Sequence, residues 1–127
     1  MTHFEDKAKQ MLDIYKKLKK GDWMEIKGEI IAYCYMVDRG KPAACIALQE
    51  RFIEDNLNFI KSNKLKSYIE PLSEGWVTLW IYKYSHILDV IKSLPQYPTS
   101  TFNHWVLGKL FGYDENSISN YLRGKIT

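Results

Sequence analysis

The sequence is short of the residues that build reactive and cross-linked sites. It has two cysteines and three scattered histidines, and it contains neither an HxxxH nor a CxxC pair. It also lacks a glycine-rich phosphate loop and a GxSxG motif, which are typical of nucleotide-binding and hydrolytic sites. These absences argue against the enzyme classes that local motifs reveal. We therefore expect a non-enzymatic protein that holds no cofactor and no metal ion.

Long hydrophobic runs are lacking as well. No apolar stretch approaches the roughly 20 residues that a membrane-spanning helix needs. The first residues, "MTHFEDKAKQ", include acids where a secretory signal would be basic and then apolar. Cys34 and Cys45 both lie in apolar stretches, which suits free thiols better than a disulfide. We expect a cytoplasmic protein with no membrane partner.

The residues that are present have the composition of a globular domain. Of the 127 residues, 46% are hydrophobic and 26% are charged, so the chain can bury a core of its own. Residues 1–127 are predicted to form one domain. The net charge of +3 is too small to indicate nucleic-acid binding, and basic residues outnumber acidic ones towards the two ends of the chain but not in its middle.

Two capping boxes divide the first part of the chain. Thr2 with Glu5 predicts a helix that ends at Gly21, and Asp22 with Glu25 predicts a second helix that runs to Val37. Residues 25–48 are also rich in β-formers, and "DRGK" could close a β-hairpin there. We favour the helix, because a glycine followed by a proline in this stretch is typical of one helix ending before the next begins. The β-hairpin stays open as the alternative.

The rest of the chain also follows helical spacing. A stripe of apolar residues predicts a helix from Pro42 to about Lys61, followed by a loop over 62–75. Ser73 is placed to cap a long, aromatic-rich helix that reaches Leu94 and is closed by prolines. The predicted fold class is all-α. We expect a compact bundle of five or six helices that ends in a short helix-turn-helix-like hairpin.

The final turns, "LGKLFGYDENSISNYLRGK", carry the one specific motif. Residues 104–125 resemble a helix-turn-helix of the phage-repressor type. In this resemblance Gly108 is small enough for two helices to cross, Gly112 makes the turn, and Asp114 caps the second helix. The resemblance also places four side chains on buried positions: Leu107, Phe111, Ile118 and Tyr121. A C-terminal hairpin that only closes the core would need a similar pattern, so this interpretation stays open beside the first.

The resemblance implies a contact surface. It directs four residues towards a DNA major groove: Asn116, Ser117, Asn120 and Arg123. Lys125 would lie near phosphate, and Tyr113 next to the turn is a further candidate contact for DNA or for a protein. Asp114 and Glu115, however, place negative charge where the second helix would meet the phosphate backbone. We therefore favour a protein partner over DNA for this surface.

The length and composition of the chain also favour a protein partner. Short, with many Lys, Ile, Tyr and Asn residues, it is similar to small accessory proteins of phages and mobile elements, a group that includes repressors, anti-repressors and anti-CRISPR inhibitors. This resemblance implies an inhibitor or regulator that docks onto a bacterial or phage protein complex, with no small-molecule ligand; a DNA-binding transcriptional regulator is the alternative. Six tyrosines are candidate interface anchors: Tyr33, Tyr35, Tyr68, Tyr82, Tyr97 and Tyr113.

Overall fold

A computed structural model describes residues 23–95 and 97–126, so the predicted helix from Thr2 to Gly21 lies outside the described residues. The described chain folds into helices and strands in this order: α1 (Trp23–Asp38), β1 (Ala43–Gln49), α2 (Ile53–Ser62), β2 (Lys66–Ser73), β3 (Trp76–Tyr82), α3 (Ser85–Ser93), α4 (Thr101–Leu110) and α5 (Glu115–Ile126). A single 3-10 turn, Glu50–Phe52, joins β1 to α2. Among the described residues, none of the helices has both the length and the apolar character required to span a membrane.

The three strands form one antiparallel sheet with β3 in the middle and the order β1-β3-β2. Two hydrophobic cores lie on its opposite faces. One joins α1 and α2 to the face that carries Leu79 and Ile81. The other joins α3 and α4 to the face that carries Trp80 and Tyr82. The fold is therefore a sheet between two layers of helices.

The all-α prediction is wrong, because the structure is mixed α/β with a three-stranded sheet. The predicted long helix after Ser73 is instead β3 followed by α3, and the predicted 62–75 loop contains β2. The strand β3, "WVTLWIY", is buried on both faces, so it lacks the polar alternation that marks a half-exposed strand. Its apolar residues then match a helical spacing by chance, and its β-branched and aromatic content was the better signal.

The prediction for residues 25–48 is half right. α1 is helical as favoured, but residues 43–49 form β1, and the predicted helix after Pro42 is confirmed only from Ile53 onwards. The β-hairpin alternative is also wrong, because β1 pairs with β3 and not with the preceding segment. The cysteines are free as expected: Cys34 is buried on α1 and Cys45 is half-buried on β1.

Candidate partner-binding surface

The C-terminal hairpin is built by three local signals. Gly112 has a φ of 81°, a left-handed conformation that glycine adopts readily, and it ends α4. The Asp114 carboxylate then accepts a hydrogen bond of 2.7 Å from the backbone N–H of Ser117, which caps α5. The backbone N–H of Tyr113 closes the turn by donating to the carbonyl oxygen of Gly108 at 3.0 Å. The predicted helix break at Gly112 and the predicted cap at Asp114 are both confirmed.

Gly108 allows the two helices of the hairpin to touch. A Cβ atom added there would lie 2.8 Å from Cγ1 of Ile118, closer than side chains tolerate. Ile118 is only 4% exposed, so this contact is the centre of the α4–α5 packing. The prediction that Gly108 must be small is confirmed.

Of the other positions predicted to be buried, two pack against the core and one is exposed. Leu107 and Phe111 pack against the core beside the sheet, and the Phe111 ring stacks on Trp80 of β3 with centroids 5.9 Å apart. Tyr121, predicted to be buried, is 52% exposed, so that prediction is wrong. Its ring lies against His104 at the rim of the hairpin, where no described helix or strand covers it fully.

The predicted contact residues are displayed on the hairpin. Four of them are exposed on α5: Asn116, Ser117, Asn120 and Arg123. A guanidinium N–H of Arg123 donates to Oδ1 of Asn120 at 3.0 Å, so these two side chains are held together one turn apart. Tyr113 is 58% exposed beside the turn. Lys125 belongs to α5, but its side chain lies outside the described part of the structure.

The acidic start of α5 is partly compensated within the hairpin. Nζ of Lys109 lies 2.6 Å from Oε1 of Glu115, and the indole N–H of Trp105 donates to Oε2 of the same carboxylate at 3.2 Å. These two donors lower the pKa of Glu115, the lysine contact being the larger cause. Hydrogen bonds from Ser117 likewise lower the pKa of Asp114. The negative charge that disfavours DNA is therefore already engaged by the protein.

Acidification is expected to loosen α5. Each of these two carboxyl groups has a lower pKa in the folded chain than in the unfolded one, so its stabilisation is complete above the unfolded pKa and is lost as the pH falls through the folded pKa. Helicity followed by circular dichroism should fall below about pH 4. The Asp114→Asn/Glu115→Gln variant, which keeps a capping oxygen but does not titrate at either position, should show a weaker acid transition. An identical transition in both proteins would contradict this account.

A cleft of about 400 Å³ opens between the two helices of the hairpin. Its walls are mostly aromatic and aliphatic, and they include His104, Phe111, Tyr113 and Tyr121. Tyr113 lines both this cleft and a neighbouring groove, so the two depressions adjoin at this residue.

That neighbouring groove, which we call the aromatic-basic groove, is formed by Tyr35, Arg39, Lys41 and Tyr113 and measures about 470 Å³. The Arg39 guanidinium stacks on the ring of Tyr35 at 3.5 Å, and Nζ of Lys41 lies 6.0 Å from the ring centroid of Tyr113. Arg39 and Lys41 are the only charged residues that line it within the described chain. The groove therefore offers positive charge between exposed aromatic rings, a combination enriched at the centres of protein interfaces.

Two of the four residues that define this groove are predicted from the sequence as interface anchors. Tyr35 and Tyr113 were among the candidate anchors, and both are 58% exposed. Arg39 and Lys41 were not predicted as contact residues, because "DRGK" indicates a helix end or a hairpin turn and carries no sign of a binding surface. Of the other candidate tyrosines, Tyr97 is exposed, Tyr33 and Tyr68 are half-buried, and Tyr82 is buried in the core.

Reactive groups are sparse in the described residues. No group of three or more His, Cys, Asp or Glu side chains is close enough there to hold a metal ion. Burial raises the pKa of Cys34 and of Cys45 to about 11 in each case, so both thiols are protonated at neutral pH and are poor nucleophiles.

Comparisons with known proteins found no protein-family model, no curated protein and no solved structure that matches the chain. The resemblance of residues 104–125 to a repressor helix-turn-helix therefore stays a prediction. The geometry of the surface is the remaining guide to function.

Proposed function

We propose that this chain is a non-enzymatic inhibitor or regulator, of the kind that phages and mobile elements encode, and that it acts by docking onto a protein or nucleoprotein complex. Its contact region is the aromatic-basic groove together with the exposed face of α5. By covering part of the partner, the chain would block access sterically. This mechanism needs no cofactor, no metal ion and no reactive side chain.

The observation that carries the proposal is the composition of the groove. Two exposed tyrosines flank two cations there, and no acidic side chain of the described chain lines it. The carboxylate of Asp38 lies beside the groove, where its Oδ1 is 3.4 Å from Nζ of Lys83 and its Oδ2 is 4.0 Å from a guanidinium nitrogen of Arg39. The complementary partner surface is therefore acidic, with apolar positions that receive the tyrosine rings.

The substitutions Arg39→Glu and Arg51→Glu form a matched test of docking through the groove. Both side chains are exposed and both lie over an aromatic ring, that of Tyr35 for Arg39 and that of Phe52 for Arg51. They lie beyond opposite ends of β1. We expect the wild-type chain to retain one stoichiometric complex from its host's lysate, Arg39→Glu to lose it, and Arg51→Glu to keep it. Loss with both variants, or with neither, would contradict docking through this groove.

A DNA-binding regulator is the second candidate, and one observation favours it. Asn116, Asn120 and Arg123 are spaced by four and three residues, so they share one exposed face of α5. Amides and guanidinium groups are the side chains that read base edges in the major groove. The ion pair between Lys109 and Glu115 also reduces the repulsion between the start of this helix and phosphate.

The salt dependence of binding separates the two candidates. A DNA-binding hairpin would shift duplex DNA at low ionic strength, would lose affinity steeply as salt rises, and would depend on Asn120 and Arg123. The proposed protein-docking function predicts no salt-sensitive duplex shift. A shift that Asn120→Ala abolishes and Arg39→Glu spares would replace the proposal with its alternative.

A further inference from the structure

The outer edge of β1 is unprotected. Edge strands normally carry charges, proline or a bulge, which discourage other strands from pairing with them. The opposite edge strand, β2, has all three: Lys66, Pro71 and a shift of register between Pro71 and Ser73. The seven residues of β1, "AACIALQ", include no charged residue and no proline. The sheet is therefore protected on one side only.

The pairing of β1 with β3 shows which backbone groups face outwards. The register places Gln49 opposite Trp76, and the backbone N–H of the next residue, Glu50, donates to the carbonyl oxygen of Gly75 at 2.9 Å. Residues that bond to the neighbouring strand alternate with residues that do not. The N–H and C=O groups that point away from β3 are consequently those of Ala43, Cys45, Ala47 and Gln49.

Most of this edge is accessible. Ala43 is fully buried, but Ala47 is exposed, and Cys45 and Gln49 are half-exposed. Within the described chain, no backbone hydrogen bond outside the sheet reaches these three accessible residues. Unpaired backbone groups on an apolar strand form a template for a further strand.

We infer that β1 is the contact strand of a homodimer, in which the β1 strands of two copies pair antiparallel about a twofold axis at Ala47. This arrangement places Ala47 opposite its own copy and Cys45 opposite Gln49 of the other copy. A second copy is the occupant that fits best, because antiparallel pairing is self-complementary and the uncharged strand brings no like charges together. The small Ala47 side chain allows close approach at the axis.

The dimer is independent of the proposed function, because Ala47 belongs to neither the hairpin nor the aromatic-basic groove. The pairing satisfies the outward backbone groups of both copies at once and joins the two sheets into one continuous sheet. A strand edge alone buries little surface, and interfaces below about 1,200 Å² in total are weak. The association should therefore depend on concentration in the accessible range.

Sedimentation over a concentration series tests the inference. The wild-type chain should approach twice its mass of 15.0 kDa as concentration rises. Ala47→Pro should stay at the single-chain mass and remain folded, because proline removes an N–H that points away from β3 and is tolerated on edge strands. Ala47→Thr, which keeps the N–H and suits a strand, should still dimerise. If Ala47→Pro and Ala47→Thr sediment with the same mass, β1 is not the contact strand.

A disulfide gives an independent readout of the register. Residues in a hydrogen-bonded antiparallel pair have Cα atoms about 5.5 Å apart, within disulfide range. Gln49→Cys should therefore cross-link two chains through Cys45 of the other copy under oxidation, with the introduced thiol as the thiolate that reacts, and the added change Cys45→Ala should remove the cross-link. A wild-type chain that is monomeric at every concentration overturns the dimer. In that case slow amide exchange at Ala47 would show that another segment covers the edge, and fast exchange would show an open edge.

Discussion

Replacing Leu79 with alanine is expected to lower the free energy of unfolding by about 2–5 kcal/mol. Leu79 lies at the centre of β3, it is 0% exposed, and it packs into the core shared by α1, α2 and the sheet. Deleting its isobutyl group removes buried apolar contacts and leaves a cavity that the flanking strands cannot fill without losing their own pairing. Urea unfolding followed by circular dichroism measures the change.

Ile31→Ala provides the control for Leu79→Ala. Ile31 is also a large aliphatic residue, but it lies on the outer side of α1 and is 44% exposed. Its truncation should cost much less, because less apolar surface returns to water and no closed cavity forms. Similar losses in the two variants would show that β3 is not the centre of the core.

Gly108→Ala is expected to destabilise the hairpin even though alanine is the better helix former. Gly→Ala inside a helix normally gains up to about 1 kcal/mol. At Gly108 the new Cβ would lie 2.8 Å from Cγ1 and 3.0 Å from Cδ1 of Ile118, and forced overpacking costs about 1–3 kcal/mol. The clash should outweigh the gain and push α5 away from α4, which amide exchange along α5 would detect.

Two variants separate the clash from the effect on the helix. Gly28 lies in α1 with nothing within 4 Å of an added Cβ, so Gly28→Ala should stabilise the chain. In an Ile118→Ala background, Gly108→Ala should become favourable, because the atoms that it strikes are gone. A gain from Gly108→Ala in the wild-type background would contradict the close packing of α4 on α5.

The helices with strong end signals could be predicted from the sequence. α1 follows a capping box, and α5 follows Gly112 and Asp114, and each begins within a residue or so of its predicted start. The strands could not be predicted in this way. β3 is buried on both faces and shows no alternation, and β1 consists largely of alanine and other residues whose spacing also suits a helix. Which of these segments forms a strand depends on pairing between distant parts of the chain, and local periodicity does not report such pairing.

The candidate site was likewise predictable only in part. The residues of α5 could be placed on a surface because a helix fixes which side chains share a face. Arg39 and Lys41 could not be assigned to that surface, because they come from the loop after α1 and meet Tyr113 only through tertiary packing. That packing places Lys41 Cγ and Pro42 Cδ each 3.7 Å from the position of a Cβ on Gly112. The position of β1 at the edge of the sheet likewise could not be predicted, because it depends on the strand order.

The affinity of the chain for the purified partner is the most direct test of the central claim, that this protein acts by covering a partner with its aromatic-basic groove. Calorimetric titration of the partner, separated from the recovered complex, with the wild type, Arg39→Glu and Arg51→Glu in turn gives a dissociation constant for each. The account predicts that Arg39→Glu weakens binding at least tenfold, which corresponds to about 1.4 kcal/mol, and that Arg51→Glu binds like the wild type. Unchanged affinity in Arg39→Glu would contradict it.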